Sequence, residues 1–113
     1  MVESIPVDAE IRFDQINSQL VNDLERLEPF GESNPAPIFL SKNVRVTSAA
    51  IVGGRHRKMT LHQNGVDSAP IDAIQFNLKS DTPRADSFEQ LAFRLQWNRH
   101  NGKRHIQIVV EAV

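Results

Sequence analysis

Residues 27–37 read Leu-Glu-Pro-Phe-Gly-Glu-Ser-Asn-Pro-Ala-Pro, and this stretch of the 113-residue chain decides its fold. Each of the three prolines fixes its own φ and disfavours helical geometry in the residue before it. The stretch therefore cannot continue a helix, and Gly31 could supply the positive φ of a tight turn. It also carries or precedes Phe30, Ile38 and Phe39, whose apolar side chains need burial. We interpret residues 27–37 as a rigid joint between a helix and a β-rich body.

The helix before the joint is predicted over residues 14–27. Its apolar side chains recur at spacings of four, four and three, which places them on one face of an amphipathic helix. These side chains are Ile16, Leu20, Leu24 and Leu27. Asp14 is the expected N-cap residue, and Pro29 ends the helix. Residues 5–9 alternate in polarity, so we also expect a short strand ahead of the helix.

The sequence after the joint alternates apolar and polar residues with a period of two, which predicts strands. Five strands are predicted, over residues 43–52, 55–63, 71–78, 88–98 and 105–112. Three turn sequences favour hairpin connections between them. These are Gly53-Gly54, Asn64-Gly65 and Asn101-Gly102. Residues 79–86 are polar and contain a proline, so they predict a surface loop.

Five such strands must curl to bury one face and to hide their edges. We therefore predict a mainly β fold, a five-stranded antiparallel OB-like barrel preceded by one amphipathic helix. Residues 1–37 would hold the leading strand, the helix and the joint, and residues 38–113 the barrel. A chain of 113 residues is long enough for one hydrophobic core but not for two.

The alternation also predicts which side chains point out of the barrel. The expected inward set is Met59, Leu61, Ile74, Phe76, Leu78, Leu91, Phe93, Leu95, Trp97, Ile106, Ile108 and Val110. The expected outward set is His56, Lys58, Thr60, His62, Gln75, Asn77, Arg94, Gln96, Asn98, His105, Gln107 and Val109. Arg57 falls at an inward position and must emerge at the strand start or extend its charged end to solvent. For Trp97, filling the core is a commoner role than stacking on a base.

Charge is divided unevenly along the chain. Residues 1–40 carry eight acidic and two basic side chains, whereas residues 41–113 carry eleven basic and six acidic ones. Two basic clusters, at residues 55–58 and 99–104, lie at hairpin ends. A polar and basic outward face beside such clusters suits a nucleic-acid groove, because OB-type modules bind single strands with loops and one sheet face.

Several kinds of chemistry are excluded by composition and spacing. The chain has no cysteine, which excludes disulfides, cysteine zinc sites and thiol catalysis. Its acids form no paired set, and Asp72 alone is best read as a surface carboxylate. His56 and His62 are six residues apart, roughly 20 Å at strand rise, too far to share a metal. We therefore predict no catalytic residue and no metal site.

Membrane association is not expected either. No stretch is long enough to span a bilayer, and the N-terminus lacks an apolar signal core. The expected protein is soluble and cytoplasmic.

The joint resembles the helix-to-barrel joint of RecJ-type exonucleases, which are specific for single-stranded DNA. The resemblance lies in the pattern Leu24-x-x-Leu27-x-Pro29-Phe30-Gly31-x-x-Asn34-Pro35-x-Pro37-x-Phe39. Three later segments are similar to the family's strands: His56-x-Lys58 after the glycine turn, Ala73-Ile74-Gln75-Phe76, and Asn98 with Gly102 and Ile106-Gln107-Ile108.

The resemblance implies an OB domain that follows the DHH and DHHA1 catalytic modules of a metal-dependent nuclease. Such an enzyme uses manganese or magnesium to degrade single-stranded DNA in the 5′→3′ direction during DNA repair and recombination. This chain has no Asp-His-His motif, so it resembles a non-catalytic part of such a parent enzyme. Its expected partners are single-stranded DNA, the catalytic modules and single-strand-binding protein.

Two functions are open on this reading. In the first, the domain binds single-stranded DNA, and phosphates are contacted by Arg55, Arg57, Lys58, Lys103 and Arg104. His56, Asn98 and Gln107 would hydrogen-bond sugar, phosphate or base edges, and Arg94 would border the groove. In the second, the barrel is a structural or protein-interaction domain that braces the nuclease modules or docks single-strand-binding protein, with little DNA affinity of its own.

Overall fold

The computed structural model describes residues 2–79 and 84–113, and these ranges contain one α-helix and six strands. Helix α1 spans Ser18–Glu25. The strands are β1 (Ala9–Glu10), β2 (Phe39–Val52), β3 (His56–Gln63), β4 (Ile71–Gln75), β5 (Ser87–His100) and β6 (Lys103–Ala112). Two 3-10 turns, Val2–Ser4 and Phe13–Gln15, precede the helix. Most of the loop predicted over residues 79–86 lies outside the described residues.

Strands β2 to β6 form a closed barrel. Their order is β2-β3-β4-β6-β5, and β5 returns to pair with β2, where Phe93 lies opposite Phe39. The pairing of β4 with β6 is parallel, with Ala73 opposite Ile108. The prediction of an OB-like barrel is therefore confirmed, but the barrel is mixed rather than antiparallel. Strand directions cannot alternate all the way around a closed ring of five, so one pair must be parallel.

The helix begins later than predicted. Asn17, not Asp14, is the N-cap residue, and its side-chain oxygen accepts the N–H of Leu20 at 2.9 Å. Phe13 lies in the preceding 3-10 turn, is fully buried, and donates its N–H to Oε1 of Gln63 at 2.8 Å. This long-range contact fixes the turn to β3, so residues 13–15 cannot belong to the helix. Leu27, expected on the buried stripe, is exposed.

The joint between α1 and β2 is a compact, hydrogen-bonded turn. The side-chain amide of Asn34 donates to the carbonyls of Leu27 at 2.7 Å and Pro29 at 3.0 Å. Gly31 and Asn34 exchange backbone hydrogen bonds of 2.9 and 3.1 Å, although Gly31 does not take the positive φ that we expected. Phe39 is buried at the start of β2 and Phe30 is half-buried. The joint is therefore followed almost directly by β2, the first strand of the barrel.

The interior confirms the predicted parity of β3 and most of β5, but not that of β4. Met59 and Leu61 face the core, and their partners across the ladder are Ala73 and Ile71. The inward residues of β4 are therefore Ile71 and Ala73, and Phe76 is left 47% exposed. The buried cluster also includes Phe13, Val21, Leu24, Phe39, Val44, Phe88, Leu91, Phe93, Leu95 and Ile108.

The ends of the strands match the turn signals. The glycine pair at residues 53–54 and the Asn101-Gly102 turn each connect adjacent antiparallel strands, as predicted. Strand β2 starts at Phe39, before the predicted residue 43, because the joint leads straight into its pairing with β5. The turn at Asn64-Gly65 is present, but β4 resumes only at Ile71, so this connection is longer than a two-residue hairpin. Within the described ranges, no helix is long and apolar enough to cross a bilayer.

Candidate nucleic-acid interface

One continuous face runs across the outside of β3, β4, β6 and β5. Lys58 lies opposite Ile74, and Asp72 lies opposite Gln107. Asn98 lies opposite His105. Side chains directly opposite each other in a sheet point to the same side. Because the alternate residues Met59 and Leu61 fill the core, the set led by Lys58 faces outward. We call this surface the outer face.

A groove of about 520 Å³ lies on the outer face beside the β5–β6 hairpin. Its lining residues are Lys58, Asp72, Asn98, His100, Asn101, Lys103 and His105. We call it the lysine groove. Its side chains offer two ammonium groups, two imidazoles, two amides and one carboxylate. Ammonium and amide groups donate hydrogen bonds to phosphate oxygens, and amides also match base edges.

The hairpin places four of these groups by means of its turn. Asn101 and Gly102 both take positive φ, 51° and 74°, which a two-residue hairpin turn requires. The turn sets His100 opposite Lys103 and Asn98 opposite His105, so all four side chains project to the same side. The hairpin sequence therefore determines one wall of the lysine groove.

Three of the residues predicted to contact DNA meet in the lysine groove: Lys58, Asn98 and Lys103. Sequence reasoning did not select four other lining residues, His100, Asn101, His105 and Asp72. The sequence places His100 within the basic cluster at residues 99–104, His105 on the outward side of its strand, and Asp72 as a surface carboxylate. The register across the two-residue turn at Asn101-Gly102 was the one signal that could have brought His100 and His105 together with Asn98.

Two other predicted residues are engaged inside the protein. Arg57 is 5% exposed and donates from Nη1 to the carbonyl of Ala85 at 2.8 Å. It therefore does not lie on the outer face, because its parity follows the core residue Met59. Gln107 does lie on that face, but it is 6% exposed and accepts a hydrogen bond from Gln96 at 2.9 Å.

Arg94 borders the outer face near the C-terminal end of β6. It forms an ion pair with Glu111. Val109, predicted to be exposed, is buried because it lies between Arg94 on β5 and Ile74 on β4. A polyanion that used Arg94 would have to compete with Glu111.

Arg104 is held between the helix and the indole of Trp97. Its guanidinium carbon lies 4.0 Å from the centre of the Trp97 ring, a cation–π contact. The Trp97 indole N–H donates to Oδ1 of Asn22 at 2.9 Å, and Arg104 approaches the same oxygen at 3.4 Å. Trp97 is therefore half-buried against α1, with one ring face covered by Arg104.

Arg99 is also tied to the helix. Its Nη2 lies 2.9 and 3.1 Å from the two carboxylate oxygens of Glu25. The acidic helix thus takes up part of the charge of the 99–104 cluster. The ammonium groups of Lys58 and Lys103 face the lysine groove instead.

Arg55 and His56 lie at the other end of β3. Arg55 is exposed in the glycine turn. The ring of His56 meets Phe76 edge to face, with centroids 5.2 Å apart. Its Nδ1 accepts the N–H of Asn77 at 3.1 Å. This hydrogen bond fixes the orientation of the imidazole.

A second cleft of about 520 Å³ lies between the segment before α1, residues 67–72 and the Trp97–Arg104 pair. Its lining includes the carboxylates of Asp14, Asp67 and Asp72. The negative charges of these three carboxylates would repel the phosphates of a nucleic acid, so this cleft is the poorer candidate for nucleic-acid binding. Among the described residues, no group of three or more His, Cys, Asp or Glu side chains could hold a metal ion.

Comparison with known proteins places these features in a family. Residues 7–112 match the family model described as RecJ OB domain. The fold is similar to that in a crystal structure of RecJ in complex with Mg2+ from Thermus thermophilus, with a TM-score of 0.60 and 23% sequence identity. The match covers 83% of this chain but only 14% of that one. No curated protein matched this chain.

Proposed function

This chain belongs to the family of RecJ OB domains, and from that premise we propose that it is a non-catalytic module that binds single-stranded DNA in the lysine groove. The observation that carries the proposal is the convergence of Lys58 and Lys103, from different strands, in one groove with Asn98. OB modules bind oligonucleotides on this kind of sheet face and with the adjoining hairpin loops. The two ammonium groups would contact phosphates.

The composition of the groove favours a single strand over a duplex. The side chains line an open groove on the outside of the barrel, where an unpaired strand can enter with both its backbone and its base edges. Asn98, Asn101 and His105 supply donors and acceptors for those edges. Asp72 lowers the positive charge of the groove.

In a parent enzyme we propose that the domain holds the strand for a 5′→3′ nuclease in DNA repair and recombination, in the cytoplasm. Family membership supports this setting, and the chain corresponds to 14% of the RecJ chain to which its fold is similar. Manganese or magnesium would act in the DHH and DHHA1 modules. Within residues 2–79 and 84–113, no group of three or more His, Cys, Asp or Glu side chains fits such an ion.

Fluorescence anisotropy with a labelled single-stranded oligonucleotide tests the proposal on the 113-residue chain. We expect binding at low salt, weakened about three- to tenfold by Lys58→Ala or Lys103→Ala because each removes a phosphate contact. Lys42→Ala is the matched control, because Lys42 on β2 lies outside the groove. Its ammonium group forms an ion pair with Glu10 of β1 at 3.5 Å. A wild-type chain that binds no oligonucleotide at low salt would refute the proposal.

The structural alternative rests on a different observation. The last residues of β2 are exposed, including the apolar side chains of Ile51 and Val52. An exposed apolar strand end suits contact with another protein surface, such as the nuclease modules or single-strand-binding protein. If that is the main role, charge introduced at Ile51 or Val52 will lower nuclease activity of the parent enzyme, and Lys58→Ala with Lys103→Ala will leave it unchanged.

A further inference from the structure

Phe76 is an aromatic side chain that the fold leaves in solvent. It is 47% exposed, and it is the one aromatic among the large apolar side chains that are exposed in the described part of the chain. Phe76 directly follows β4, and its ring contacts His56, which shares the outward parity of Lys58 on β3. Phe76 therefore belongs to the outer face, on the same surface as the lysine groove.

His56 braces Phe76 from one side. The two rings meet edge to face at an interplanar angle of 76°, with centroids 5.2 Å apart. The imidazole is itself held, because its Nδ1 accepts the N–H of Asn77, and the neighbouring N–H of Leu78 donates to the carbonyl of Arg55 at 2.8 Å. These hydrogen bonds hold the backbone after β4 beside the start of β3. The contact with His56 then holds the Phe76 ring in an exposed position.

A straight path along the sheet joins this ring pair to the lysine groove. Phe76, just past the end of β4, follows Ile74 and Asp72 of the outward side of that strand, and Asp72 lines the groove. Phe76 and Asp72 are four residues apart in the chain, roughly 13 Å at the rise of an extended strand. A short oligonucleotide can therefore reach both places.

We propose that Phe76, braced by His56, is a stacking platform for an unpaired base of the strand whose phosphates lie in the lysine groove. The inference rests on the proposed function. It adds a reason why the site would select single strands, because a base can stack on Phe76 only when it is unpaired. Stacking on an aromatic side chain tolerates every base, because every base has a π face. The platform should therefore confer affinity without sequence preference.

The test separates base contacts from phosphate contacts. Anisotropy titrations of the 113-residue chain compare oligothymidylate with an oligomer of equal length that carries abasic sugars on the same backbone. We expect Phe76→Ala to weaken binding of oligothymidylate about tenfold and binding of the abasic oligomer less than about twofold. Phe76→Trp should retain the affinity for oligothymidylate. Lys58→Ala should weaken both oligomers equally.

Other results overturn the platform. If Phe76→Ala binds oligothymidylate as tightly as wild type while Lys58→Ala loses affinity, the groove stands and the platform is refuted. If Phe76→Ala weakens both oligomers equally, the side chain acts on the fold and not on bases. If wild type binds neither oligomer, the proposed function and the platform both fail. Should Phe76→Ala not fold, Phe76→Leu keeps the apolar packing against His56 and must show the same base-dependent loss.

Discussion

Asn22 on helix α1 accepts the indole N–H of Trp97 on β5 at 2.9 Å. The same amide oxygen is approached by Arg104 of β6 at 3.4 Å, so one helical side chain contacts both strands of the hairpin. The helix is attached to the barrel by this contact and by its buried residues Val21 and Leu24. Its attachment supports the hairpin that carries five of the seven lining residues of the lysine groove.

Replacing Asn22 should loosen this attachment. Asn22→Leu removes the acceptor of a half-buried indole N–H, which should lower the free energy of unfolding by about 1–2 kcal/mol. Urea denaturation followed by tryptophan fluorescence measures the change. Asp23→Asn is the control, because the Asp23–Arg26 pair is exposed and such pairs contribute little. Equal stability of Asn22→Leu and the control would mean that the contact does not hold the helix.

Gln63 should be among the most sensitive polar residues of the core. Its buried amide accepts the N–H of Phe13 at 2.8 Å and donates to the carbonyl of Lys42 at 2.9 Å. Gln63→Met would leave both backbone groups without a partner, at a cost of about 2–4 kcal/mol. Thermal and urea unfolding check this value. Gln19→Met, on the exposed side of α1, should change stability by less than about 0.5 kcal/mol.

Arg57 should matter for stability and not for nucleic acid. Its guanidinium is buried and donates to the carbonyl of Ala85, so Arg57→Met should lower the free energy of unfolding by about 1–3 kcal/mol. The affinity of the folded variant for single-stranded DNA should stay within about twofold of wild type. Unfolding curves and anisotropy on the same preparation measure both quantities. A large loss of affinity in a fully folded variant would restore the expectation that Arg57 contacts phosphate.

Asp72 should oppose phosphate binding in the groove. Asp72→Asn removes a negative charge next to Lys58 and Lys103 while keeping the shape of the side chain, so affinity for single-stranded DNA should rise about two- to fivefold at low salt. The gain should shrink as salt is added, since salt screens exposed charges. Asp23→Asn makes the same charge change outside the groove and should have little effect. A fall in affinity would assign Asp72 to a base contact instead.

Salt dependence would report how many phosphates the proposed site contacts. The logarithm of the binding constant should fall linearly with the logarithm of salt concentration, with a slope near −0.7 per phosphate contact on a single strand. Lys58→Ala and Lys103→Ala should each make the slope less steep by about 0.7. Phe76→Ala should lower affinity without altering the slope. Parallel titrations over a series of salt concentrations distinguish these cases, and an unchanged slope in both lysine variants would place the phosphates elsewhere.

Local sequence chemistry predicted much of this fold. Gly53-Gly54 and Asn101-Gly102 specify their turns through positive φ, and Met59 and Leu61 identify the inner side of β3 because their strand has one clearly apolar parity. Strand β4 has apolar residues on both parities. The inward side of β4 is set by its pairing with Met59 and Leu61 on β3. The alternation of residues within β4 does not show this pairing.

The candidate site was less predictable for the same reason. Basic residues could be found in the sequence, but their partners could not. Arg99 is paired with Glu25 and Arg104 with the Trp97 ring; the first of these pairs joins residues that are distant in the chain. Conversely, His100 and His105 became groove residues only through the register of the hairpin. Charge composition thus identified a basic region, and tertiary pairing selected which charges remain available.

The parallel pairing of β4 with β6 joins the two halves of the lysine groove beneath the outer face. Residues of the lysine groove come from β3 and β4 on one side and from the β5–β6 hairpin on the other. The parallel seam joins these two halves directly, and β2 joins them around the other side of the ring. The groove is therefore complete only when β4 is paired with β6. A nucleic-acid strand bound across this seam would bind only the folded barrel. It would therefore stabilise the barrel by mass action and raise its unfolding temperature.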